Sequence, residues 1–202
     1  MSCFLCQSGQ ATSDLKWHDR PLWLDPRAGL AVAGLGGYMP GYVLIAPIGH
    51  YVSLRAAAAV AGETFIAFVL EVASYLQDCF GPLTFWEHGG RSDGRTGRSA
   101  CVEHAHLHLT PGRLDLPMPS VATEYPALRQ ALAAPDEITE GYLLLGWTGR
   151  PVFVGADPAR PQYYRQQWAR LIGRPDEWDY LLCEDARITR ATIETVLRRR
   201  GG

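Results

Sequence analysis

"VEHAHLHLTP", Val102 to Pro111, sets histidines at 104, 106 and 108 with an apolar residue after each one. A β-strand turns successive side chains to opposite faces. The spacing therefore predicts a strand with His104, His106 and His108 on one face and Ala105, Leu107 and Leu109 on the other. The apolar face needs a partner in the core. The imidazole face suits a metal or a catalytic site equally well, and spacing alone also allows three ordinary polar strand residues.

The partner for the apolar face lies upstream. From Leu54 to Phe80 the alanines, Phe65, Phe68, Val69, Val72, Tyr75 and Leu76 recur at helical spacing, and Gly81-Pro82 stops the run. This predicts one long amphipathic helix packed on a sheet. The sheet is read from Pro21–Leu24, Gly29–Gly36 and Gly41–Ile48, β-prone stretches separated by Asp, Pro and Gly, which form an antiparallel meander. Leu83–His88 adds a strand, and Gly89–Ala100 is a loop of Gly, Arg and Ser leading into the histidines. Strands, helix, strand, loop, strand is the order of an α+β layer and not of a doubly wound parallel sheet.

Beyond Pro111 the chain turns Pro- and Ala-rich. Gly141–Trp147 and Arg150–Gly155, joined through Thr148-Gly149, read as a β-hairpin. Helices follow over 160–173 and near Arg187–Arg199. The expected division is a domain at 1–115 and a C-terminal α/β extension at 116–202, its hairpin and helices packed on the first part.

With 202 residues, 47% of them hydrophobic and 20% charged, the chain can build one sizeable core. A net charge of -2 offers no basic excess for a polymeric nucleic acid. No apolar run reaches the roughly 20 residues of a membrane span, and no basic-then-apolar leader opens the chain, so a cytoplasmic protein with no membrane partner is expected. Five cysteines in no regular framework agree with a reducing compartment. Cys3 and Cys6, spaced C-x-x-C, point to metal or redox chemistry, and metal is favoured because no thioredoxin-like helix pattern follows.

Taken together, the triad run, the upstream "GYVLIAPIGH" closing on Pro47 and His50, and the amino-terminal C-x-x-C resemble the histidine triad superfamily over about residues 1–115. "FWEHGG" with "GRSACVEHAHLH" is similar to its galactose-1-phosphate uridylyltransferase branch. The resemblance implies a small antiparallel sheet carrying a long helix. It implies an enzyme that attacks the α-phosphorus of a nucleoside polyphosphate or phosphoramidate. His106 is then the nucleophile, forming a nucleotidyl-histidine, and His108 the partner on the phosphate side. Arg98 and Ser99 are implied as phosphate contacts, and Glu87 and His88 as residues near the substrate. Many members carry Gln where this chain has Ala100.

Zinc-binding members imply structural zinc on Cys3, Cys6, His50 and His104. The region of Trp23 and Leu24 is implied to receive the base. Hydrolysis is one outcome. Transfer to phosphate or a sugar phosphate is another, and a nucleotide-binding protein without turnover is the reading from a different class. The extension is a candidate for an acceptor pocket or a homodimer interface.

Overall fold

Two stretches, "GLAVA" and "VLIAP", are apolar at every position, and strands of that kind are covered on both faces. The computed structural model, which describes residues 3–10, 14–90, 104–135, 141–156 and 162–200, places them as central strands between two helical layers. In chain order the elements are α1 (Phe4–Gly9), β1 (Trp23–Asp25), β2 (Gly29–Ala33), β3 (Val43–Pro47), α2 (Leu54–Ala61), α3 (Glu63–Phe80), β4 (Leu83–Gly89) and β5 (Leu107–Pro111). They continue as β6 (Ser120–Tyr125), α4 (Leu128–Ala133), β7 (Tyr142–Trp147), β8 (Val152–Ala156), α5 (Tyr163–Leu171) and α6 (Ala186–Arg200).

The eight described strands form one sheet in the order β1-β2-β3-β5-β4-β7-β8-β6, every pair antiparallel. The α+β class is as expected, but the sheet is larger than the small one anticipated. Strands β7, β8 and β6 continue it past residue 115, because β7 pairs directly with β4 through Phe85↔Gly146 and Glu87↔Leu144.

One face of the sheet, with Ala31, Ile45, Phe85, Leu107, Leu109 and Leu144, packs on α2, α3, α4 and Val196 of α6. The opposite face carries Leu30, Val32, Tyr42, Leu44, Trp86 and Leu145. Leu5 of α1 and Tyr164 and Trp168 of α5 cover it. The second layer explains why "GLAVA" and "VLIAP" do not alternate.

The expected single helix over 54–80 is two. Gly62 stands between α2 and α3 at φ 60° and ψ −142°, a conformation that breaks the helical path. Helix α2 is capped by Ser53, whose side chain accepts from Ala56 N–H. The buried Glu87 carboxylate accepts from Leu54 N–H at 2.7 Å and from the Tyr142 hydroxyl at 2.5 Å.

The histidine run is also shorter as a strand than its alternation suggests, since β5 begins only at Leu107. The register Ile45↔Leu107 would set Ala105 opposite Pro47, which has no N–H to continue the ladder. The chain leaves the sheet there. Ala105 N–H donates instead to Tyr51 O at 2.7 Å, and the His104 ring donates to Pro47 O. His108 alone of the three lies within the sheet, between Leu44 and Trp86.

Candidate metal centre and the adjoining histidine pocket

The C-x-x-C opens α1, with Cys3 at its N-cap and Cys6 in its first turn. That short helix is absent from the sequence reading, whose argument against redox chemistry relied on no helix following. The geometry supplies a better argument. The Cys6 sulfur lies 3.4 Å from Nδ1 of His104 and 3.3 Å from Nδ1 of His50, and the Cys3 sulfur lies 3.5 Å from Nδ1 of His104.

All four ligand atoms fall within 4.8 Å of one another, so the cluster can hold a metal ion. For a tetrahedral ion with metal–sulfur near 2.3 Å and metal–nitrogen near 2.0 Å, the sulfur-to-nitrogen edge is about 3.5 Å. The observed separations fit that edge. His104 is fully buried, and its Nε2–H donates to Pro47 O at 2.8 Å, which leaves the Nδ1 lone pair turned to the sulfurs. Burial pushes this imidazole down to about 4, so Nδ1 stays unprotonated at neutral pH.

The backbone of this same residue orients the next histidine. His106 Nδ1 lies 2.8 Å from the His104 carbonyl, which can only accept, so Nδ1 carries the proton and Nε2 keeps its lone pair. His106 and His108 both line a cavity of about 220 Å³ on the sheet face covered by α1 and α5. Their ring centroids are 4.5 Å apart.

His108 is stacked on Trp86 with ring centroids 5.1 Å apart at 11°, and its Nδ1 lies 2.6 Å from the Tyr42 hydroxyl. Burial first, with His88 adding to it, holds His106 below the ordinary imidazole value. The same burial, with the charges of His106, Arg165 and His88, holds His108 well below it. Both rings are therefore neutral at pH 7.

The predicted residues divide into groups. Cys3, Cys6, His50 and His104 come together, and so do His106 and His108, with His88 as their electrostatic neighbour. Glu87 follows Trp86 in β4 and so points to the opposite face, where it holds α2 and Tyr142. Arg98 and Ser99 lie outside the described residues. Trp23 packs edge-to-face on Tyr75 and under the Arg200 guanidinium in the helical layer. Neither it nor the exposed Leu24 lines the cavity.

Sequence reasoning missed Tyr42, Trp86 and Arg165, and the walls formed by Lys16, His18 and Asp19. Tyr42 had a signal, since Tyr42, Leu44 and Ala46 alternate onto the histidine face. Arg165 had one too, since helical spacing puts it within the buried stripe of Tyr164, Trp168 and Ala169. No family model matches the chain, and no curated protein matches it in sequence.

Proposed function

We propose that the chain is a histidine triad protein that transfers a nucleotidyl group through His106, with zinc bound to Cys3, Cys6, His50 and His104. The observation that carries the reading is the 2.8 Å bond from His106 Nδ1–H to the His104 carbonyl, which leaves a neutral Nε2 lone pair in a cavity shared with His108. The donor set of two thiols and two imidazoles at tetrahedral edge lengths suits zinc. Zinc there would cross-link the amino terminus to the segment that holds His106, and it takes no part in the bond changes.

In this mechanism His106 Nε2 attacks the α-phosphorus, a P–N bond forms, and the P–O bond to the leaving group breaks. With the Tyr42 hydroxyl donating to its Nδ1, His108 presents Nε2–H to the leaving oxygen and supplies its proton. Water, or a phosphate acceptor, then attacks phosphorus and gives its proton back to His108 as the P–N bond breaks. Neutral imidazoles serve both steps, which agrees with the direction in which burial moves them.

The test is incubation with nucleoside polyphosphates, phosphoramidates and nucleotide sugars, with and without phosphate acceptors, reading released mononucleotide and acid-quenched nucleotidyl-protein. Release is expected to fall by at least about 1,000-fold in His106→Ala. Retained turnover in that variant, or no release from any compound, would reject the reading.

A further inference from the structure

Arg165 is the only fully charged group buried in the cavity wall among the described residues, at 4% exposure. Its Nε donates to Trp178 O at 3.0 Å and its Nη2 to Gly36 O at 2.9 Å. Its Cζ lies over the rings of Tyr38, Tyr42 and Tyr180, 5.7, 5.7 and 5.9 Å from their centroids. Two neutral carbonyls and three ring faces fix the guanidinium but do not neutralise it. No carboxylate pairs with it among the described residues, and among them its buried Nη1 has no hydrogen-bond partner. A buried cation with a spare donor is costly without an anion, and a preorganised guanidinium fork matches a tetrahedral oxyanion.

We propose that Arg165 binds an anionic phosphoryl or sulfuryl group on the leaving side of the bond that His106 attacks. This rests on the nucleotidyl-transfer reading. The side follows from position. Arg165 lies over the ring of Tyr42, whose hydroxyl holds His108, and its charge reaches His108. The contacts therefore run from His106 to His108, from His108 to Tyr42 and from Tyr42 to Arg165, which sets the guanidinium beside the proton donor. A leaving group met there carries its own negative charge, so the substrate class is a nucleotide joined to a second oxyanion and not to an amine. Loss of the P–O bond releases that oxyanion, and Arg165 stabilises the charge as it grows.

Two measurements test this. The first compares kcat/KM for a nucleoside diphosphate, a nucleoside phosphosulfate and a nucleoside phosphoramidate bearing the same base, in the natural protein and in Arg165→Gln. The preference for the oxyanion substrates over the phosphoramidate is expected to fall by about 100-fold, the scale for losing one preorganised donor. The two oxyanion substrates separate phosphoryl from sulfuryl. Release from all three that drops by one common factor, or does not drop, would overturn the role of Arg165. No release from any of them would overturn the nucleotidyl-transfer reading instead.

Arg165→Gln also gives up two carbonyl contacts and can unfold. The second measurement therefore uses the natural protein crystallised with inorganic pyrophosphate. Density within about 3.2 Å of Nη1 is expected. Pyrophosphate found elsewhere, or not bound at saturating concentration, would sink the assignment whatever the kinetics show.

Discussion

His104 does two jobs through two different atoms. Its Nδ1 faces the Cys3 and Cys6 sulfurs and its carbonyl fixes the tautomer of His106, so the candidate metal cluster and the proposed nucleophile share one residue. Cys3→Ser is expected to lower zinc from about one equivalent per chain to a small fraction of that, read by elemental analysis after dialysis. Unchanged metal content would reject these ligands. His108 carries a pH prediction. Its folded value lies well below the ordinary 6.5 because burial disfavours the charged ring. Between those two values the unfolded chain binds the extra proton, so this stabilisation is complete above about pH 6.5 and is lost as pH falls toward the folded value. The melting temperature should therefore drop from pH 7 to pH 5, with a limiting slope of about 1.4 kcal/mol per pH unit for one proton. His108→Asn should reduce that slope and leave the share from His104 and His106, which burial also lowers, and an identical pH profile in the variant would show that His108 does not contribute. Spacing marked these histidines as candidates without dividing their roles, and it placed Tyr42 on their face without showing its 2.6 Å contact with His108, which spans 66 residues of sequence.

At the scale of elements, Gly62 decides where one helix ends and the next begins. A Cβ there would meet nothing within 4 Å, so any penalty comes from the backbone angles alone. Gly62→Ala should cost about 1–3 kcal/mol, read as a shift in the urea midpoint with an unchanged slope. A variant as stable as the natural protein would mean that α2 and α3 can fuse into one helix. The alanines at 56–59 hide this break in the sequence, since their helical propensity runs straight up to the glycine. Most strands were legible for a different reason: β-prone runs bounded by Gly, Pro and Asp mark β2, β3 and β4, and Thr148-Gly149 marks the β7–β8 turn. Strand β6 was not, because its side chains are nearly all exposed and its register slips between Ser120 and Thr123. Edge strands of that kind lack the apolar period that reveals an inner strand. The late start of β5 was hidden too, since the alternation of histidines begins at His104, before the pairing that Pro47 delays to Leu107.

For the whole molecule, the consequence is that the pocket is built from both ends of the chain. His106 and His108 come from the first 115 residues, and Arg165, Tyr180 and Leu181 close the cavity from beyond them. Among the described residues no helix is long and apolar enough to cross a membrane, and both faces of the sheet are covered by helices. That makes truncation informative. A chain of residues 1–115 would strip β7 from β4 and leave a central row of backbone groups unpaired. It would also remove α5, uncovering Trp86, Leu44 and Val32, and with them an apolar patch large enough to drive association. The fragment is expected to lack a cooperative thermal transition and dispersed amide resonances, and to elute as aggregates. A monomeric, cooperatively folded fragment would show that the first 115 residues form an independent domain onto which the later strands merely dock. Because Arg165 would be absent from it, such a fragment would also separate the proposed nucleophile from the proposed anion site: on that reading it should then release mononucleotide with no preference between an oxyanion and an amine leaving group.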